Sequence, residues 1–146
     1  DNTIEVIVTA QGGQTKTYTV IVTRAASDIV DLTNLALSDG VLAPAFTSGT
    51  ISYSTSVANS VYSLTVTPTT THPNATVTVN GNPVASGTAS PEIELNVGVN
   101  TIEVIVTAED GLTTKTYTLT VTRNSAAVTP TNPGNGSGIG AGYGGA

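Results

Sequence analysis

The sequence predicts an all-β protein whose main part is an antiparallel β-sandwich of about seven short strands. Apolar residues recur at every second position through most of the chain, and no helical period is present. Turn signals rich in Gly, Pro, Asn and Asp separate these runs at intervals of about 8–12 residues. One segment also occurs twice, at residues 2–24 and 100–123. The chain is therefore expected to contain parts of two similar units.

The composition excludes several classes of function. The 146 residues include no Cys, Met or Trp, and only 10% are charged. Disulfides and thiolate metal sites are therefore excluded. The net charge of −6 argues against nucleic acid as a partner, because nucleic-acid binding needs a basic footprint. No apolar run approaches the ~20 residues of a membrane-spanning helix. This Thr-rich, charge-poor composition is typical of microbial proteins that work outside the cell or on its surface.

The duplicated segment indicates a repeated domain. Its first nine residues, NTIEVIVTA, are identical in the two copies, which also share T-K-T-Y-T and end in V-T-R. The copies are offset by 98 residues before the central turn and by 99 after it, a period of domain size rather than solenoid size. The turns differ, with Gly12-Gly13 in the first copy and Asp110-Gly111 in the second.

The second copy predicts an antiparallel hairpin. Residues 101–107 and 114–123 alternate between apolar and polar side chains on either side of a turn at 109–111. The side chains expected to face the core are Ile102, Val104, Val106, Tyr117, Leu119 and Val121.

The residues between the two copies predict the remaining strands. Leu32, Leu35 and Leu37 mark a first short strand, and 50–57 alternate as a second. Further runs are 61–67, expected to end at Pro68, then 75–79, which lead into the two-residue turn Asn80-Gly81, then 83–84 and 93–95.

These residues also carry a family resemblance. The pattern L-x-x-L-x-L-S-x-G-x-L-x-P-x-F spans residues 32–46, and the matches continue at Tyr53, Asn80-Gly81, Leu95, Gly98, Asn100, Ile102, Asp110-Gly111, Tyr117 and Arg123. The chain resembles the bacterial cadherin-like β-sandwich domain, an immunoglobulin-like repeat of secreted and cell-surface proteins. The resemblance covers about 32–123 completely and 2–24 as the last two strands of another copy. It implies an extracellular structural or adhesive module, because such repeats occur in many unrelated proteins.

We therefore expect four segments. Residues 1–24 form the closing β-hairpin of a repeat that is completed by preceding strands or by another subunit, and 25–31 form a linker. Residues 32–123 form the complete cadherin-like β-sandwich. Residues 124–146 form a tail, rich first in Thr, Pro and Asn and then in Gly, which can act as an added strand.

The first hairpin is the candidate assembly site, because a two-stranded hairpin alone is marginally stable at best. Its core-facing side chains need a surface to cover them: Ile4, Val6, Val8, Tyr18, Val20 and Val22. That surface is expected either from strands upstream in a longer chain or from a neighbouring subunit, which would make a head-to-tail homopolymer.

The glycine-rich tail is the second assembly candidate. Gly occupies every even position from Gly134 to Gly144. As a strand, the tail would present bare backbone on one face and Ile139, Ala141 and Tyr143 on the other. A flexible linker is the alternative.

No constellation of catalytic residues is present, and we expect no enzyme activity and no cofactor. His72 is the single histidine, and Glu92 and Glu94 suit the solvated face of a strand. Calcium and N-linked glycans remain open as partners. The calcium candidates are Asp28, Asp31, Asp39, Glu109 and Asp110, and the glycan acceptor patterns begin at Asn74 and Asn135.

The sequence thus predicts a structural subunit or segment of an extracellular microbial filament or cell-surface stalk, assembling by strand and edge contacts. The alternative is an accessory, adhesive or spacer module of a larger secreted protein such as a carbohydrate-active enzyme. Its sugar-stacking aromatics would be Phe46, Tyr62 and Tyr143.

Overall fold

The computed structural model describes residues 1–128, and within that range the regular structure is entirely β. The predicted all-β sandwich is confirmed. The strands are β1 (Asn2–Thr9), β2 (Thr15–Val22), β3 (Leu32–Leu37), β4 (Ser52–Val57), β5 (Ser63–Leu64), β6 (Val66–Thr70), β7 (Thr76–Val79), β8 (Asn82–Val84), β9 (Ile93–Glu94), β10 (Gly98–Thr107) and β11 (Thr114–Arg123).

One layer of the sandwich is a five-stranded sheet in the order β4-β11-β10-β7-β8. The β10–β11 hairpin lies at its centre, because β7 pairs antiparallel with β10 and β4 pairs with β11. The β4–β11 pair is parallel, with Ser52 opposite Thr118 and Val57 opposite Arg123, which departs from the antiparallel pairing expected throughout. Alternating side chains identify the face of a strand but carry no information about its direction, so the sequence could not reveal this pair.

The second layer contains β3 paired with β6 and β5 paired with β9. Strands β5 and β6 are two parts of one run, because the Ser38 amide donates to the Thr65 carbonyl between them. The run continues through Pro68 to Thr70, beyond the predicted end at Pro68. The Pro68 carbonyl accepts a hydrogen bond from the Gly87 amide at 2.8 Å, so the backbone of Pro68 faces away from β3. Proline is tolerated here because its missing N–H removes no bond between β3 and β6.

A β-bulge explains the leucine spacing in β3. Leu32 and Leu35 are three residues apart, an odd spacing that would place them on opposite faces of a regular strand. The register of β3 against β6 shifts between Leu32 and Asn34, and the extra residue returns both leucines to the core face. Both are buried.

The core lies between the two layers. Its buried side chains include Leu32, Leu35, Tyr53, Leu64, Val66, Val77, Val79, Leu95, Ile102, Val104, Val106, Tyr117, Leu119 and Val121. Tyr117 is the largest of the fully buried side chains. Its hydroxyl oxygen accepts a hydrogen bond from the Leu32 amide at 3.1 Å, so a single side chain of β11 holds the start of β3 and satisfies a buried donor.

This bond gives a matched pair of substitutions. Tyr117→Phe should lower the free energy of unfolding by about 1–3 kcal/mol, because the Leu32 N–H is left buried without its acceptor. Tyr18→Phe removes the same hydroxyl from the same T-K-T-Y-T sequence at an exposed site and should change stability by less than about 0.5 kcal/mol. Urea denaturation of both variants measures the difference. Equal losses would contradict the role given to the Tyr117 hydroxyl.

Candidate assembly surface

The first hairpin leaves one apolar face uncovered. Its six core-type side chains are each between 45% and 53% exposed: Ile4, Val6, Val8, Tyr18, Val20 and Val22. The six side chains at the corresponding positions of β10 and β11 are at most 1% exposed. All six residues lie in the β1–β2 pair, where the antiparallel register places them on one face.

The two hairpins share the same internal geometry. Val6 lies opposite Tyr18 in the first, as Val104 lies opposite Tyr117 in the second. The ammonium of Lys16 lies 5.1 Å from the centre of the Tyr18 ring, and the matching lysine of β11 lies 5.4 Å from the Tyr117 ring. The difference in exposure therefore comes from what surrounds each hairpin and not from how it is built.

Strands on both sides cover the second hairpin. It has β7 along one edge, β4 along the other and the β3–β6 layer against its apolar face. Among the described residues, β1 and β2 pair only with each other. The first hairpin thus presents two free edges in addition to its apolar face, and free edges are templates for further strand pairing.

Two asparagines at corresponding positions, Asn2 and Asn100, differ in the same way in the number of their hydrogen-bond partners. The Asn100 side-chain amide donates to the carbonyls of Asn96 at 2.9 Å, Gly98 at 3.1 Å and Val121 at 3.2 Å. Its counterpart Asn2 donates to the Val22 carbonyl at 3.4 Å. Asn2 therefore lacks the carbonyl partners that the complete unit provides for Asn100.

The outer face of the first hairpin is more apolar than that of the second. Ile7 and Ile21 are 60% and 65% exposed. Ile21 corresponds to Thr120 in the second copy. The outer faces of the two hairpins therefore differ in apolar character at this one position.

The connector after this hairpin, defined here as Arg24 together with the linker 25–31, contacts the turn of the second hairpin. The Arg24 guanidinium forms a two-point contact with the Glu109 carboxylate, with Nη2 2.6 Å from Oε2 and Nη1 3.2 Å from Oε1. The Ser27 amide donates to Glu109 Oε1 at 2.9 Å, and the Ser27 carbonyl accepts from the Asp110 amide at 3.1 Å. The Asn74 side chain donates to Glu109 Oε2 at 2.9 Å.

These contacts lower the pKa of the Glu109 carboxyl from 4.5 to about 2. The hydrogen bond from Arg24 makes the largest contribution, followed by the Ser27 amide and the Asn74 side chain. The pKa of Arg24 is raised by the same pair. Glu109 is therefore charged, and able to hold the connector, at any ordinary pH.

The far end of the connector is also held. The Lys115 ammonium lies 2.7 Å from Asp31 Oδ1, and the hydrogen bond to Asp31 raises the pKa of Lys115. The Asp31 carbonyl accepts from the Thr71 amide at 2.9 Å. Both ends of the connector are thus fixed to the complete sandwich.

The remaining candidate residues do not come together as a site. Within residues 1–128, no three His, Asp or Glu side chains group as metal ligands would. The single histidine, His72, accepts a hydrogen bond from the Asn74 amide through Nδ1, and the Glu92 carboxylate accepts one from Ser63. Ile139, Ala141, Tyr143 and the Asn135 pattern lie outside the described residues.

Comparison with known proteins assigns the family. Residues 32–124 match the family described as "Cadherin-like beta sandwich domain". This chain belongs to the cadherin-like β-sandwich family. It is 41% identical over 93 residues to a protein of Evansella cellulosilytica named "Putative membrane protein". The match covers 64% of this chain and 14% of that protein. In the described part of the cadherin-like chain, no helix has the length and apolar character needed to cross a membrane.

The Arg24–Glu109 contact predicts a shift in titration. Arg24→Ala should raise the pKa of Glu109 from about 2 toward 4.5, because it removes the largest cause of the depression. The sign follows from linkage: a folded-state pKa below the ordinary value means that the contact stabilises above about pH 4.5 and is lost as the pH falls through about 2. Carbon-13 NMR of the side-chain carboxyl measures the midpoint. Lys16→Ala removes a cation elsewhere on the hairpin and should leave that midpoint unchanged, and an unchanged midpoint in Arg24→Ala would contradict the assignment.

Proposed function

We propose that this chain is a structural, non-catalytic segment of an extracellular microbial filament or cell-surface stalk built from cadherin-like repeats. The observation that supports the proposal is one hairpin sequence in two surroundings, buried in the complete unit and exposed at the first copy. We also propose the four-part division into 1–24, 25–31, 32–123 and 124–146. The cadherin-like family is consistent with an extracellular or cell-surface location, as is the name of the Evansella protein.

The chemistry of the first hairpin specifies what would cover it. Its apolar face would be covered by an apolar layer equivalent to β3 and β6. The Tyr18 hydroxyl would accept a hydrogen bond from a backbone N–H in the position of Leu32. Its two edges would pair with an antiparallel strand beside β1 and a parallel strand beside β2, as β10 pairs with β7 and β11 pairs with β4. The partner is therefore another cadherin-like repeat, contacted through strand edges and this face.

A charge on the apolar face should prevent this contact. Val6→Asp should abolish self-association of the 146-residue chain, because the corresponding Val104 is fully buried and an uncompensated buried carboxylate is strongly unfavourable. Thr3→Asp adds the same charge to the opposite face, at a position whose counterpart Thr101 is exposed, and should assemble as the parent does. Sedimentation velocity and electron microscopy of the three proteins provide the measurement, with elongated particles expected for the parent and Thr3→Asp.

Two outcomes would count against this function. Equal assembly of Val6→Asp and Thr3→Asp would remove the apolar face from the contact. A parent chain that stays monomeric at every concentration would contradict self-assembly and favour a spacer within a longer polypeptide.

The glycine-rich tail is proposed as an added strand. Its alternating pattern would let one face approach a neighbour closely while Ile139, Ala141 and Tyr143 pack on it. Deletion of 134–146 should weaken assembly while the urea unfolding transition of residues 32–123 stays unchanged, since the buried core found within residues 1–128 lies in that segment. Normal polymerisation of the deletion variant would contradict strand addition by the tail.

The second candidate function is a spacer or binding module of a larger secreted protein. The 14% coverage of the Evansella protein favours it, because the matched segment there is a small part of a long chain. Sugar binding is less favoured by the described aromatics. The Arg123 guanidinium lies 4.4 Å from the centre of the Tyr62 ring and covers one face, while Phe46 stacks on Tyr53.

A further inference from the structure

We infer that the end of the sandwich formed by Glu109, Asp110 and Asn74 is a receptor for the connector of the preceding repeat, and that it fixes the angle between successive repeats. The inference rests on the proposed array of repeats and names the partner of this surface, the segment Arg-Ala-Ala-Ser at residues 24–27. It concerns a different surface from the apolar face of the first hairpin.

The contact has the form of a joint rather than of a single ion pair. The backbone N–H of Ser27 donates to Glu109, and its carbonyl accepts from the Asp110 amide. Two hydrogen bonds in opposite directions fix the orientation of this peptide as well as its position. Arg24 adds a two-point contact with the same carboxylate, the geometry that restricts a guanidinium most. An isolated exposed ion pair contributes little, whereas here three groups converge on Glu109.

The turn that presents Glu109 is held by its own neighbour. The Asp110 carboxylate accepts hydrogen bonds from the amides of Leu112 at 2.7 Å and Thr113 at 2.9 Å, and from the Thr113 hydroxyl at 2.7 Å. These bonds lower the pKa of Asp110. The receptor is thus organised before the connector binds it.

The arginine at the end of each copy has two different roles. Arg123 remains within its own unit, donating through Nε to the Asn59 carbonyl at 2.8 Å and through Nη1 to the Leu95 carbonyl at 3.0 Å. Arg24 ends the same V-T-R sequence but reaches forward to Glu109 of the following unit. Arg24 therefore joins the first hairpin to residues 32–123, whereas Arg123 ties strands within the sandwich.

The first copy lacks the receptor. Gln11 and Gly12 stand where the second copy has Glu109 and Asp110, so neither the carboxylate that binds arginine nor the carboxylate that holds the turn is present. A repeat with Gln-Gly at this position cannot form the charged joint with its own predecessor.

Backbone order at Ser27 tests the joint. In the nitrogen-15-labelled 146-residue chain, the order parameter of the Ser27 amide should be about 0.85, as in rigid backbone, and should fall below about 0.6 in Glu109→Ala. Arg24→Ala should lower it as well. Glu94→Ala removes an exposed carboxylate from β9 and should leave it at the parent value. Unchanged amide shifts of Val104 and Tyr117 verify that each variant remains folded.

The outcomes separate the joint from the proposed function. A mobile Ser27 in the parent, or an ordered Ser27 in folded Glu109→Ala, overturns the joint whether or not the chain assembles. An ordered Ser27 that loosens in Glu109→Ala and Arg24→Ala supports the joint even if Val6→Asp and Thr3→Asp assemble alike, which would overturn the assembly role of the hairpin alone.

Discussion

Burial of the β10–β11 hairpin is the constraint on which the rest of the fold depends. This hairpin joins the two edge regions of its sheet, since β7 and β8 attach on one side and β4 on the other. It also supplies Tyr117, whose hydroxyl ties the opposite layer to the sheet at Leu32. Strands β4 and β7 pair with this hairpin, β8 continues the sheet through β7, and side chains of β3, β5 and β6 share its buried core. The exposed first hairpin is informative because it shows the same element without those neighbours.

Much of the fold could be predicted from local pattern. Alternation gave the core-facing set of β10 and β11, and Asn80-Gly81 gave the β7–β8 turn, where both residues have positive φ. What local pattern could not give was strand direction in the β4–β11 pair and continuation of β6 through Pro68. Both depend on which backbone groups a distant strand offers, and alternation contains no such information. The bulge in β3 also needs the partner strand, because only the register against β6 explains why Leu32 and Leu35 share a face.

The candidate site divides in the same way. The apolar face around Val6 was predictable because repetition supplied its buried counterpart within the same sequence. The contact of Arg24 with Glu109 joins residues 85 apart, and neither residue stands out in a chain where charges are simply sparse. The turns differ in sequence, with Gln11-Gly12 in the first copy and Glu109-Asp110 in the second. Only the structure shows that Glu109 contacts Arg24 and Ser27.

The similarity of the two hairpins has a consequence for folding. Five of the six core-facing residues are identical, and the sixth differs by the one methylene that separates Val20 from Leu119, worth about 0.8 kcal/mol when buried. The strands of residues 32–97, which surround the second hairpin, can therefore barely distinguish the two hairpins by side-chain packing. Connectivity decides instead, because β9 ends at Glu94 and β10 begins at Gly98, which gives the second hairpin a high effective concentration at these strands. The close joining of β9 to β10 therefore favours pairing of residues 32–97 with the second hairpin rather than with the first.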